Sequence, residues 1–185
     1  MQEDILVRHC SPTLAGLKTA NMFTCRYECE KELRCDICRF NRAMSGKGII
    51  ALPLRYTDGR ALIYIYRPSS LEHDLSSSEA CRVLEDCGYC CEGCRSNTGK
   101  LLSRLISRLN KEEGFPHEIG LFLGYPPEDV VGFIEKKECT YSGLWKVYGD
   151  AEKAKEKFAR YQKCTEVYCE RWSEGVPLSR LIVKK

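Results

Sequence analysis

From Phe115 to Ile134 the chain reads FPHEIGLFLGYPPEDVVGFI, and its three prolines and three glycines leave the backbone few options. Each proline fixes φ and removes a donor, and each glycine marks a turn or a close approach. The apolar run between Glu118 and Leu123 predicts a strand, and Gly124-Tyr-Pro-Pro127 predicts a turn. Pro127 or Glu128 then starts a helix to about Lys136, with Glu128 and Asp129 at its positive end. A further strand is expected over 143–148. Asp150 caps the longest helix, 150–173, where Ala154, Phe158, Tyr161, Thr165, Tyr168 and Trp172 recur at helical spacing.

Upstream, the strongest local signal is a hairpin over 49–67. Two β-rich runs flank Thr57-Asp-Gly59, read as a three-residue loop with Gly59 left-handed. Ile63 and Ile65 share one face, and Leu62, Tyr64 and Tyr66 the other; both faces look covered. Pro53 puts the first strand at an edge or a bulge. Before the hairpin, a short helix over 3–8 is expected to end ahead of Pro12, and Thr13 to cap a second helix with Leu14, Leu17 and Met22 on its apolar side. Helix with irregular breaks is expected from Cys25 to Met44. After the hairpin come helices over 69–74, 76–86 and 98–110, the last with a stripe of Leu101, Leu102, Leu105, Ile106 and Leu109. The expected fold class is α+β: a single domain, 1–185, with a small mixed or antiparallel sheet of about four strands (hairpin 49–67, strands near 118–123 and 143–148) packed with helices. The last helix is expected to cover one sheet face through Phe158, Tyr161 and Trp172.

Charge narrows the partners. With 29 basic and 26 acidic side chains the formal net charge is +3, too small a field to drive nucleic-acid or anionic-membrane binding. No apolar run approaches the roughly 20 residues that a membrane helix needs, and the acidic N-terminus does not read as a signal peptide. The expected compartment is the cytoplasm.

Thirteen cysteines, an odd number, point in a reducing compartment to metal or redox chemistry rather than a disulfide framework. One cluster holds Cys25, Cys29, Cys35 and Cys38. The other holds Cys81, Cys87, Cys90, Cys91 and Cys94, loosened by Gly88 and Gly93. Cys35/Cys38 with Cys87/Cys90, or with Cys91/Cys94, supplies the two C-x-x-C pairs that place four thiolates around zinc or an iron–sulfur cluster. The alternative is that the cysteines act as small hydrophobes. Cys87, Cys91 and Cys94 also have the C-x3-C-x2-C spacing of radical S-adenosylmethionine enzymes, but the chain lacks the repeated β-α units of their barrel.

Two further groupings carry site chemistry. His9-Cys10 and His117-Glu118 sit beside constrained backbone, where binding groups are often mounted. Cys10 with His117 would make a thiolate–imidazolium pair, with Glu118 orienting the ring; the same residues could ligate a metal, or His117 could simply fix its loop by a backbone hydrogen bond. No P-loop, dinucleotide fingerprint, nucleophile elbow or zinc-protease motif occurs.

Several segments together resemble the uncharacterised bacterial domain-of-unknown-function family 3793, found largely in anaerobic Gram-positive bacteria. They are His9-Cys-x-Pro-Thr-Leu-Ala-Gly-Leu-Lys18, Ile63-Tyr-Ile-Tyr-Arg-Pro68, Phe115 to Pro126, Glu128 to Ile134, Ser142 to Asp150, Lys163-Cys164 and Val176 to Ile182. The resemblance covers nearly the whole chain. It adds His9, Thr13, Lys18 and Tyr125 as binding candidates beside Cys10, His117 and Glu118, while most of the clustered cysteines fall outside the pattern. A flavodoxin-like redox protein is the partner that the resemblance implies. Three functions are open on these residues: a ligand- or metal-binding accessory protein of anaerobic redox or metal metabolism, an enzyme with a Cys10 nucleophile and a His117 base, or a non-catalytic interaction module.

Overall fold

The structure, a computed structural model, describes residues 3–90, 98–111 and 114–184. The chain divides into two compact units, residues 1–69 with 163–185 and residues 70–162. The α+β class is borne out: helices dominate, the main sheet is small and antiparallel, and a long helix runs towards the C-terminus. Among the described residues no helix is long and apolar enough to cross a membrane.

The first unit is built on a three-stranded sheet of order β1-β3-β2, with β1 at Ala20–Arg26, β2 at Ile50–Thr57 and β3 at Arg60–Tyr66. The predicted hairpin is present, and its turn is tighter than expected. Thr57 pairs directly with Arg60, leaving a two-residue loop in which Asp58 and Gly59 both have positive φ, 47° and 72°. That is the Asp-Gly turn whose twist matches the strands, and it favours glycine at the second place. Pro53 lies on the edge strand, and the register shifts between Pro53 and Arg55, as a residue that cannot donate to the ladder requires.

Two expectations near the N-terminus fail. The first helix, α1 (Glu3–Leu14), runs through His9-Cys10 and encloses Pro12. Proline sits two residues from its end, so only one ladder bond is lost, and the Ser11 hydroxyl adds a bond to the Val7 carbonyl. The residues after Leu14 do not form a second helix capped by Thr13. They lead into β1, which pairs along the whole of β3 from Ala20↔Tyr66 to Arg26↔Arg60. A central β3 with a free edge captures the segment, overriding its weak helical spacing.

Helix α2 (Glu30–Met44) follows without breaks and ends in a 3-10 turn, Ser45–Lys47. The core of this unit joins Leu6, Val7, Cys10 and Leu14 of α1, Phe23 and Cys25 of β1, Leu33 and Ile37 of α2, and Ile63 and Ile65 of β3.

The second unit holds α4 (Ser78–Asp86), α5 (Thr98–Lys111), α6 (Ile119–Phe122), α7 (Pro127–Ile134) and a two-stranded hairpin, β4 (Tyr141–Ser142) with β5 (Lys146–Val147). The short helix α3 (Pro68–Leu75) straddles the sequence boundary between the units. Here the strand expected over 118–123 is corrected to α6, a single helical turn. Apolar runs this short read equally as strand or buried helix. Ile119 to Leu123 are all buried, and their amides bond back to Pro116, His117, Glu118 and Ile119. The strand expected over 143–148 is reduced to β5, which pairs with β4 in a two-stranded sheet.

The long helix α8 (Ala151–Ser173) matches its prediction, but its apolar residues divide. Phe158 packs with Val147, Tyr141 and Trp145, whereas Tyr168, Cys169 and Trp172 pack on the sheet-bearing core. The expectation that Phe158 covers the sheet is therefore replaced by contact with the small hairpin. Helix α9 (Leu178–Leu181) closes the first unit against α1 and its core.

Candidate functional site

In the second unit, the stretch from Phe115 to Asp150 concentrates buried charge and exposed rings. Glu118 is buried, and its Oε1 accepts the Tyr89 hydroxyl at 2.9 Å and meets Arg108 Nε at 3.1 Å. The same guanidinium donates through Nη1 to the Cys87 carbonyl and lies 5.8 Å from the Tyr89 ring centre. Burial, then the Glu118 charge, pushes the Tyr89 hydroxyl far up, and the same two causes raise the Cys87 thiol. Glu118 thus ties Tyr89, just after α4, and the last turn of α5 to the start of α6. A carboxylate so engaged with Tyr89 and Arg108 is an internal anchor.

His117 is exposed. Its ring meets Phe133 edge-on at 4.9 Å between centres, and the Lys146 ammonium stands 5.7 Å from the same Phe133 ring. Phe133 itself is 39% exposed, and Phe115 (47%), Ile134 (37%) and Leu144 (48%) stand beside these residues in sequence.

The helix that carries Phe133, α7, is anchored at its first turn. Asp129, in the first turn of α7, is buried and accepts three donors: Tyr148 N at 2.6 Å and Gly149 N at 3.0 Å on Oδ1, and Trp145 Nε1 at 2.7 Å on Oδ2. Trp145 stacks on Tyr125 at 4.5 Å and meets Phe158 edge-on at 4.4 Å. A Cβ on Gly132 would overlap the Tyr148 ring, and one on Gly143 would overlap Phe158, so these glycines let helix and hairpin approach closely. Tyr125, a binding candidate, is spent on this stacking. A cleft of about 360 Å³ opens beside Trp145, with Asp129, Lys153, Lys157 and Arg160 in its wall.

The other candidates lie in the first unit. Cys10 is wholly buried in the α1 core, and burial pushes its thiol up to about 12, with Lys18 pulling weakly the other way. An activated nucleophile requires the opposite shift. His9 stacks on Phe23 at 6.3 Å, and Thr13 donates to Asn21 Oδ1 at 2.8 Å. Cys10 and His117 belong to different units.

Two consequences follow for Cys10. At pH 8 it should alkylate at least about a hundredfold more slowly than exposed Cys29, as mass spectrometry of partly alkylated protein would report. Stability should also fall in alkali. The unfolded thiol ionises at about 8.5, so the benefit of a neutral buried thiol is complete below that and is lost as the pH rises towards the folded value of about 12. Tyr161 and Tyr168, also raised to about 12 by burial, act in the same direction. Cys10→Ala should flatten the early part of that decline in urea titrations from pH 8 to 11.

The cysteine clusters resolve in part. Every described cysteine is a free thiol; Cys35 and Cys38 are exposed on α2, Cys90 is exposed and Cys87 half-buried, while Cys91 and Cys94 lie outside the described residues. Among the described residues no three His, Cys, Asp or Glu side chains are grouped to hold a metal ion.

Sequence reasoning missed two buried charges that organise the units. One is Asp129; the other is Arg67, fully buried at the end of β3. Its Nε donates to Thr13 O at 2.7 Å, Nη2 to Leu14 O at 2.6 Å and Val183 O at 2.9 Å, and Nη1 to Lys47 O at 3.2 Å. Burial lowers its pKa, and no carboxylate accepts from it among the described residues. The available signal was a charged residue closing a strand with two covered faces, directly before Pro68.

Compared with known proteins, residues 6–182 match the sequence model of a family, DUF3793, described as a protein of unknown function. No curated protein and no solved structure matches.

Proposed function

The chain belongs to the DUF3793 family, and on that premise we propose that it is a non-catalytic binding module that docks a protein partner through the face around Phe133. The observation that carries this is the solvent-exposed Phe133 ring, which meets the His117 ring at 4.9 Å and has the Lys146 ammonium 5.7 Å from its centre. Aromatic rings carried on helices and already held by neighbours lose little entropy on docking and serve as anchors at interfaces. Phe115, Ile134 and Leu144 are further exposed apolar residues near His117, Phe133 and Lys146 in sequence, and Lys136 and Lys146 are exposed cations of the same stretch. The complementary partner surface is apolar at its centre with carboxylates around it. Its compartment we infer to be the cytosol, where thirteen cysteines stay reduced. The burial of Cys10 and the engagement of Glu118 weigh against the nucleophile–base alternative.

Phe133→Ser tests the docking face. Because the ring is partly exposed, the change should cost only about 1–2 kcal/mol and leave the fold intact. Capture of the partner by the immobilised protein, from lysate of the cells that produce it, should weaken about tenfold or more, as loss of an interface anchor does. Equal capture of the same partner by wild type and variant would reject the docking face.

A small-ligand reading has one specific support, the cleft of about 360 Å³ beside Trp145. Its size lies in the range of small-molecule sites, and the locked indole gives it a preorganised wall.

A further inference from the structure

Cys35 and Cys38 lie one helical turn apart in the middle of α2, and both are exposed. The buried residues of this helix are Leu33, Ile37 and Met44, so the two thiols are not filling the core as small hydrophobes. Residues at i and i+3 of a helix have Cβ atoms about 5–6 Å apart. A disulfide accepts about 3.5–4.5 Å, so oxidation to a bridge would require the helix to distort. A metal ion between two sulfurs, with bonds of about 2.3 Å each, spans the gap that a disulfide cannot.

We propose that Cys35 and Cys38 form a two-thiolate site on α2 for a soft, low-coordinate cation of the Cu(I) class. Thiolates select soft ions, and the helical pair supplies two sulfurs, the number that suits an ion content with two ligands, whereas tetrahedral zinc takes four. On binding, each thiol releases its proton to solvent and donates a sulfur lone pair to the ion. No electron changes hands, and a monovalent cation leaves the bis-thiolate complex with one net negative charge. The helix meets that charge with Lys31, four residues before Cys35, and Arg42, four residues after Cys38, both exposed. The neighbouring Arg34 and Arg39 are engaged with Glu30 and Asp36. This site lies in the first unit and does not rest on the docking face of the second.

The test uses the full-length protein, reduced and anaerobic, with Cu(I) delivered from a chromogenic chelate, followed by timed alkylation and peptide mapping. One full equivalent of Cu(I) should slow alkylation of Cys35 and Cys38 together by at least about tenfold, while exposed Cys29 keeps its rate. Protection should be reciprocal: Cys35→Ser restores the rate at Cys38, and Cys38→Ser restores it at Cys35. Both positions are exposed, so unchanged melting of the two variants confirms that the helix is intact. Unslowed alkylation at both thiols, or protection of Cys38 that survives Cys35→Ser, would overturn the site.

Discussion

Arg67→Met should lower the stability of the protein by about 3–5 kcal/mol, the range seen when one partner of a buried charged contact is removed. The guanidinium is 0% exposed and donates to four carbonyls from three separate stretches: Thr13 and Leu14 at the end of α1, Lys47 in the 3-10 turn, and Val183 near the C-terminus. Helix ends leave carbonyls without partners and carry the negative pole of the helix dipole, so a cation placed there is doubly favoured. Methionine fills much of the volume but donates nothing, leaving those carbonyls buried and unpaired. Arg67→Lys keeps the charge but replaces a planar fork by a single ammonium, so it should fall between the two. In a chain of 185 residues the methionine variant should melt about 10 °C lower. Urea unfolding followed by circular dichroism measures the free-energy loss and a thermal scan the melting shift; a loss below about 1 kcal/mol would mean that the four contacts contribute little.

Asp129→Ala is the second large effect, about 3 kcal/mol. Alanine leaves the amides of Tyr148 and Gly149 and the indole N–H of Trp145 without an acceptor, where hydrogen bonds to a charged group contribute about 1.5–3 kcal/mol each and are only partly replaced by water. Asp129→Asn is not a rescue. If the amide oxygen keeps the two backbone donors, its NH₂ faces the indole N–H, donor against donor. Trp145 should also lose its fixed stack on Tyr125, so a shift in tryptophan emission should accompany the lost stability. Asparagine with wild-type stability and emission would show that the charge is dispensable.

How much of this was legible in the sequence depends on whether the cause is local. The hairpin, the proline on its edge strand, the start of α7 and the extent of α8 all follow from turn chemistry, caps and periodicity, which act within a few residues. Two elements were misread for opposite reasons. Residues 20–26 become a strand because β3 offers a free edge, a partner some forty residues away, although Phe23 and Cys25 inward with Thr24 and Arg26 outward do show the strand alternation. Residues 119–122 become a helical turn because a continuous apolar run has no alternation to decide between the two states.

The candidate site shows the same division. His117-Glu118 stands out in sequence, yet its halves have different lives: Glu118 is drawn inward by Tyr89 and Arg108, and His117 is left on the surface against Phe133. Nothing local to the dipeptide announces that split, since residues 89, 108 and 133 supply it. Arg67 and Asp129 were passed over because charged residues on a strand end and a first helical turn ordinarily face water. Their importance comes from the backbone groups that converge on them.

The Phe133 face should be a contact surface in the cell. A photo-crosslinking amino acid placed at position 133, with a matching control at exposed Val167 in the other unit, measures this in the cells that produce the protein. One discrete crosslinked species from position 133, absent from position 167 and lost when Phe115 and Leu144 are both changed to serine, is the predicted result. Crosslinks that are equally strong from both positions, or none from 133 at full expression, would contradict it.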